Sequence, residues 1–175
     1  MSFLRDMPVN QTTLQALKAF PEQLEAHYAA IADDYKHWAP ASWDGIPSEH
    51  FTAIEQVCHV RDIEIEGYQV RIHRILNEEG PTLVSIDSQS IALERAYGSE
   101  NAIDAFTTFR QARKNTIALI ESLTAGQLQR TAVFEGYGPV TLRGLVHYLC
   151  SHDQQHLAGL QWLLGKIEAS RENYV

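Results

Sequence analysis

The chain has 175 residues, of which 45% are hydrophobic, and a formal net charge of −8 at pH 7. This length predicts a single domain, residues 1–175, with residues 1–10 as an N-terminal extension, and the apolar fraction suffices for a sizeable core. The acidic balance and the lack of any basic run exclude a surface for nucleic acid, which would need a basic stripe.

The sequence also predicts no membrane partner. The first ten residues lack the apolar core of a signal peptide, and no apolar run approaches the ~20 residues that cross a bilayer. We therefore expect a soluble, cytoplasmic protein. In that compartment Cys58 and Cys150 should be reduced thiols, and their apolar helical surroundings favour small buried side chains.

The first helical region contains a proline. Residues 11–19 begin a helix, and Phe20 should leave the helical conformation because it precedes Pro21. Pro21 then suits the first turn of a further helical stretch that runs to about Lys36. The pattern is compatible with one kinked helix or with two.

Residues 37–51 form a predicted loop that contains two prolines and a glycine. Fifteen residues is long for a connection, and long loops are often functional. We interpret Trp38 and Trp43 in this loop as packing anchors.

The second predicted helix begins with a capping box, Thr52 and Glu55, and its apolar periodicity continues to about Glu79. Regular helical spacing places an unusually polar set of residues in line with His59. This face is either a solvated side or the wall of a wet cleft. The residues that would line such a cleft are Gln56, His59, Asp62 and Glu66.

The third predicted helix follows a long connection. Residues 77–98 contain Gly80 and Pro81, with a short helix indicated at residues 90–97, and such a connection can run the length of a bundle. Ser99 is the expected N-cap of the third helix. Arg110 and Arg113 on this helix are expected at the surface or in ion pairs, and an anion-binding role in a cleft is the alternative.

The fourth predicted helix is capped by Thr141, after a loop in which FEGYGP (134–139) indicates a turn or short hairpin. Four amphipathic helices with little strand signal predict an all-α fold. The architecture expected is an antiparallel or crossover four-helix bundle.

A pair of histidines lies on the apolar stripe of the fourth helix. His152 and His156 are one turn apart on the face that should turn inward, which is the spacing of paired histidine ligands in helical metal sites. Two metal-free histidines at the edge of the core would show the same spacing. The stripe consists of Leu145, Tyr148, Leu149, His152, His156, Gly159, Leu160, Leu163 and Ile167.

Geometry selects a third histidine to join this pair. His147 points about 140° away from His152, and His73 lies ~21 Å along its helix from His59. His59, His152 and His156 are therefore the set that can converge between two packed helices. Three imidazoles leave a divalent ion an open position, as in catalytic sites, and they suit zinc, nickel or iron.

Other polar residues have candidate roles around this triad. Asp62 and Asp153 are placed to accept an imidazole N–H from outside the ligand set, although a surface position suits Asp153 better. Glu66, two turns beyond His59, is the candidate general base. Tyr137 and Arg110 are the candidate substrate contacts.

These motifs resemble the DinB family of DinB/YfiT-like metalloenzymes. The resemblance rests on Thr52-x-x-Glu55, on His59-x-x-Asp62, and on TLRGLVHYLCSHDQQH at residues 141–156. It covers residues 11–167 and is specific only at the three histidines. It implies a four-helix bundle with a long crossover between helices two and three, a divalent metal at the three histidines, and often a homodimer.

The same resemblance implies a class of reactions. Members with known activity are largely thiol-dependent transferases and isomerases, and others are described as hydrolases. We therefore predict a metal-dependent thiol S-transferase or hydrolase that acts on a small molecule, possibly together with a low-molecular-weight thiol. The alternative is a non-catalytic, dimeric stress-response bundle in which the metal is structural or absent.

Overall fold

The computed structural model describes residues 8–172, so most of the predicted extension, residues 1–7, lies outside the described residues. Val9 already packs into the core, and the Asn10 side chain caps the first helix. In chain order, the helices are α1 (Gln11–Ala30), α2 (Ala53–Asp62), α3 (Gln69–Asn77), α4 (Ser88–Glu94), α5 (Ala102–Ser122), α6 (Ala125–Leu128) and α7 (Leu142–Glu172). A π-helical segment, Ile63–Tyr68, joins α2 to α3 without a break.

Four long helical units form the predicted bundle. The units are α1, α2 with α3, α5, and α7, and the connection between α3 and α5 is the expected crossover, residues 78–101. Both α1 and α2 pack against α5 and α7, so helices consecutive in the chain are not always neighbours. No helix among residues 8–172 combines the length and apolarity needed to cross a membrane.

Helix α1 continues through its proline. Pro21 lies inside a single helix, which ends at Ala30 and not at Lys36 as the pattern indicated. Phe20 and Leu24 on either side of Pro21 are fully buried. Burial of these side chains therefore outweighs the local preference of the residue before a proline for extended backbone.

The predicted helix caps are largely confirmed. The Glu55 side chain accepts the backbone N–H of Thr52 at 2.8 Å, and Thr141 Oγ1 accepts the N–H of Gly144 at 3.0 Å. The prediction of Ser99 as the cap of the third helix is wrong. Asn101 takes this position, and its side chain accepts from the backbone at Ile103 and Asp104.

A small sheet covers one end of the bundle. The turn at residues 134–139 connects β2 (Thr131–Phe134) to β3 (Gly138–Thr141) as an antiparallel hairpin, and β1 (Thr82–Leu83) pairs in parallel with β2. Gly136 and Gly138 have φ values of 83° and 82°, a conformation that glycine adopts without steric cost. The hairpin was predicted, whereas the pairing of the crossover with β2 was not.

The π-helical segment changes which residues share a face with His59. Its hydrogen bonds span five residues, as between the N–H of Gln69 and the carbonyl of Glu64, so the chain gains one residue relative to an α-helix. Arg71 would lie about 120° from His59 on a regular helix, and the added residue reduces this to about 20°. On a regular helix Val70 and His73 would lie in line with His59, whereas in the structure both are exposed.

A buried polar layer divides the core into two apolar halves. One half contains Leu17, Ile72, Ile117 and Leu149, and the other contains Phe20, Val60, Phe109 and Leu157. Between them, at the middle of every long helical unit except α1, lie buried polar side chains. They are His59, Glu64, Arg113, Asp153 and His156.

Candidate metal centre

The three predicted histidines meet between α2 and α7. The Nε2 atom of His152 lies 3.2 Å from Nε2 of His59 and 3.1 Å from Nε2 of His156. His59 is 1% exposed and His156 is fully buried. The amphipathic pattern that turned one face of each helix inward therefore brings these nitrogen atoms together.

A fourth side chain, Glu49, completes the cluster. Its Oε1 atom lies 3.4 Å from Nε2 of His59, and its Oε2 atom lies 3.3 Å from Nε2 of His156. The four donor atoms all lie within 4.8 Å of one another. Sequence reasoning missed Glu49 because it belongs to the loop at residues 37–51, where no helical period relates it to the histidines. The unusual length of this loop was the signal available.

The orientation of His156 is fixed by a chain of hydrogen bonds. The Gln56 amide nitrogen donates to Ser48 Oγ at 2.8 Å and to the Phe51 carbonyl at 3.3 Å. Its amide oxygen therefore faces Nδ1 of His156 and accepts the N–H there. The remaining nitrogen of His156, Nε2, then carries a lone pair that points into the cluster.

Glycine at position 159 makes this arrangement sterically feasible. A Cβ atom on Gly159 would lie 2.4 Å from Ser48 Oγ and 3.0 Å from the Gln56 amide nitrogen. Gly159, one of the stripe residues, thus marks a place where the loop closely approaches α7.

Burial keeps His152 and His156 neutral. Desolvation, reinforced by His59, lowers the pKa of His152 to about 3, and desolvation likewise lowers the pKa of His156 well below its usual range. For Glu49, burial would raise the pKa, but the hydrogen bond and charge of His59 outweigh it and lower the pKa to about 2. His152 and His156 therefore offer neutral imidazoles and Glu49 offers a carboxylate, which are the forms that bind metal ions.

These donors fit a divalent metal ion. Metal–ligand bonds of ~2.0–2.1 Å at tetrahedral angles separate neighbouring donors by roughly 3.4 Å, close to the spacing between the histidine nitrogens and Glu49. A neutral imidazole carries one N–H, so Nε2 of His152 can satisfy at most one of its two nitrogen neighbours by hydrogen bonding. A cation would satisfy all of these lone pairs together.

A cleft of about 180 Å³ opens beside the cluster. Glu49, His59 and His152 line it, and so does the predicted substrate contact Tyr137, which is half-exposed. The cleft is smaller than the ~300 Å³ at which drug-sized sites begin, so a small molecule is the appropriate occupant. Its remaining lining residues are Ile63, Tyr68, Arg71, Ser85, Ile86, Ser88 and Phe134.

Arg110 does not line this cleft. It forms an ion pair with Glu25 on α1, and it borders two larger surface hollows of about 390 and 430 Å³. No histidine lines either hollow. The structure thus shows the ion pair that was one of the two expectations for this arginine.

Asp62 and Glu66 are both engaged by Arg95. Asp62 accepts from Arg95 Nη1 and from Tyr97 Oη, each at 2.7 Å, and also from Arg61. Burial opposes ionisation of Asp62, but these donors outweigh it and lower the pKa of its carboxyl group. Glu66 makes a bidentate pair with Arg95 at 2.8 and 2.9 Å, so neither of its oxygens is directed at the imidazole cluster.

A buried ionic cluster lies directly behind the histidines. Arg113 donates two hydrogen bonds to Asp153, at 2.7 and 2.8 Å, two to Glu64, both at 2.9 Å, and one to the Leu17 carbonyl at 3.1 Å. Burial alone would lower the pKa of Arg113, but the two carboxylates raise it. The prediction that Asp153 lies at the surface is therefore wrong, because its side chain is only 1% exposed.

Comparisons with known proteins agree with this site and fold. The model of the DinB superfamily matches residues 10–160. The chain belongs to the DinB superfamily. Among solved structures, YfiT from Bacillus subtilis, described as "a probable metal-dependent hydrolase with an unusual four-helix bundle topology", is similar with a TM-score of 0.77 and 20% identity. The similarity covers 90% of this chain and 86% of YfiT. No curated protein matches.

Membership of the DinB superfamily accounts for the crossover topology. At 20% identity, the likeness to YfiT shows the shared fold, while the histidine and glutamate cluster is an observation on this chain. The three residues taken from the family motif, His59, His152 and His156, are the ones whose nitrogen atoms converge.

Proposed function

We propose that this protein is a metal-dependent hydrolase of small molecules, in which His59, His152 and His156 hold one divalent ion and Glu49 is the general base. The observation that supports the proposal is the placement of the Glu49 carboxylate against two of three converging imidazoles, at the edge of a cleft. When bound, the ion supplies Lewis acidity, which makes water a better nucleophile near neutral pH and polarises a substrate oxygen.

The side chains around the ion have separate tasks in this mechanism. Glu49 Oε1 or Oε2 accepts the proton that the attacking water releases and then returns it to the leaving group. Gln56 holds the Nδ1–H of His156 and so keeps Nε2 directed at the ion. The walls of the cleft orient the substrate and exclude bulk water.

Two other functions remain as proposals. The first is the thiol S-transferase reaction implied by the family, since the same open position would accept a thiolate. The second is a structural metal, and one observation favours it: Glu49 adds a fourth donor, and four protein ligands close a site.

The identity of the ion as zinc, nickel or iron is likewise a proposal. The homodimer is also a proposal, and light scattering in solution would test it.

Replacing Glu49 separates these readings. In Glu49→Gln we expect about one metal ion per chain to be retained, as measured by elemental analysis, and kcat for hydrolysis of a responsive ester or amide to fall ~10²–10⁴-fold. His152→Ala should lose the metal altogether. Asp44→Asn is the matched control, because it removes the same charge from an exposed position in the same loop and should change neither quantity.

The result that would contradict the hydrolase is equally specific. If Glu49→Gln loses the metal and the wild type turns over no ester, amide or lactone of a panel, the ion is structural. Repeating the panel with glutathione, bacillithiol or mycothiol and a chlorinated aromatic acceptor tests the transferase. Turnover that requires both the thiol and the metal would replace hydrolysis as the proposed reaction.

A further inference from the structure

The cleft beside the metal centre contains a buried cation that the proposed hydrolysis does not use. Arg71 is 7% exposed, and its guanidinium lines the same cleft as Glu49, His59 and His152. The π-helical segment brings this arginine to the face of His59, as described above, and π-helical segments occur frequently at functional sites.

Arg71 is a buried arginine with no carboxylate partner among the described residues. Its hydrogen bond within the protein runs from Nη2 to the carbonyl of Val84, at 3.1 Å. Burial lowers its pKa, and the groups that act against this are the phenols of Tyr68 and Tyr137. By contrast, carboxylates pair with Arg61, Arg74, Arg95, Arg110, Arg113 and Arg171.

A buried charge without a counter-ion is costly unless a ligand supplies one. The ring of Phe134 lies 4.6 Å from the Arg71 guanidinium carbon and that of Tyr68 lies 5.4 Å from it, so cation–π contacts offset part of the cost. A Cβ atom on Gly67 would lie 3.0 Å from Nη1 of Arg71, so the backbone of the π-helical segment also packs against the guanidinium. The guanidinium is thus held in place. Of its five N–H donors, one bonds to the Val84 carbonyl among the described residues, so the others are available to a ligand.

The position of Arg71 relative to the metal centre suits a substrate that bridges the two. The Tyr68 ring lies between them, 5.9 Å from the His152 ring and beneath the Arg71 guanidinium. The Phe134 ring, which also contacts the guanidinium, stacks on the Tyr137 ring at 4.6 Å. The cleft therefore combines a cation, aromatic rings next to that cation, and the imidazole cluster.

We propose that Arg71 forms an anion-binding subsite for the carboxylate of the substrate, so that the natural substrate is a small carboxylate with an apolar or aromatic body. This inference rests on the proposed function, because only an enzyme would bind the carboxylate as its substrate. The planar guanidinium matches a carboxylate through two parallel hydrogen bonds, which fixes the orientation of the bound molecule. The aromatic walls contact its apolar part, and a bond next to that part is presented to the metal centre.

The probes for the test are benzoate and its neutral isostere benzamide. Calorimetric titration of the zinc-loaded protein should show that benzoate binds at least about tenfold more tightly than benzamide. Arg71→Met should remove that preference, and Arg71→Lys should retain part of it. Arg74→Met is the matched control, since it removes a partly exposed cation from the same helix and should leave benzoate binding unchanged. Zinc content should stay at one ion per chain in all four proteins.

A measurement on the wild type covers the case in which Arg71→Met fails to fold. The side-chain Nε–H resonance of Arg71 should shift on addition of benzoate and stay in place on addition of benzamide. Equal binding of the two probes, absence of benzoate binding, or benzoate binding that survives Arg71→Met would overturn the subsite while leaving the metal centre intact. Benzoate binding that depends on Arg71 in a protein that takes up no metal would overturn the hydrolase and leave the subsite standing.

Discussion

Removing the guanidinium of Arg113 should be among the most destabilising single changes in this protein. Arg113 is 2% exposed, and all five of its N–H groups have acceptors: four carboxylate contacts to Glu64 and Asp153 and one to the Leu17 carbonyl. Its guanidinium also lies 5.1 Å from the rings of Phe20 and Phe109. The cluster therefore ties all four long helical units together.

The magnitude follows from what Arg113→Met leaves behind. Methionine fills much of the volume, but Glu64 and Asp153 stay buried without a cation, and breaking a buried pair in this way costs about 3–5 kcal/mol. Total stability of a domain is about 5–15 kcal/mol, so the variant should approach the limit of folding. Urea titration followed by circular dichroism measures the change, provided both proteins unfold in two states.

The dependence on pH provides a second check on the same reasoning. Burial already raises the pKa of Asp153 to about 7 against the opposing charge of Arg113, so without Arg113 this pKa should rise further above its value in the unfolded chain. Groups with a raised pKa in the folded state contribute stability that is lost as pH rises, so the deficit should be larger at pH 8 than at pH 5. Replacing all three charged residues by apolar ones should recover much of the lost stability. A deficit under about 1 kcal/mol, or one independent of pH, would refute the argument.

Two further predictions concern the packing around the metal centre and the thiols. Gly159→Ala should weaken metal binding ~10–100-fold in a competition assay, because the added Cβ atom displaces Ser48 and Gln56. Gly165→Ala is the control on the same helix, because its Cβ atom meets nothing within 4 Å and the variant should keep full affinity. Equal metal affinity in the two variants would contradict the role of Gly159. Cys58 should resist a thiol reagent at pH 8 until the protein unfolds, because burial raises its pKa to about 12, whereas the half-buried Cys150 should react first. Labelling of Cys58 in the folded protein would argue against its burial.

Helical periodicity was sufficient to predict the architecture and the core of the metal centre. His152 and His156 are four residues apart on one helix, so their shared face depends only on local geometry. The capping residues Thr52 and Thr141 likewise act on backbone groups within three residues, and their roles were predicted correctly. The crossover was expected because the connection between the second and third predicted helices is long, and because the DinB-like motifs imply it.

What periodicity could not supply are the contacts made across the bundle and through the irregular segments. Glu49 reaches the histidines from a loop, and the Arg113 cluster joins residues from four helical units whose pairing no local pattern encodes. A regular helix through residues 63–68 would also have pointed Arg71 away from the site.

The sequence by itself therefore determined a four-helix bundle with three histidines on inward faces, because side chains on one helix keep a fixed angular relation. Only the tertiary structure decided that Glu49 joins them and that Asp153 is buried. It also decided that Arg71 lines the cleft. These outcomes depend on how separate elements pack and on one residue gained in a π-helical turn, and packing of this kind is a property of the whole chain.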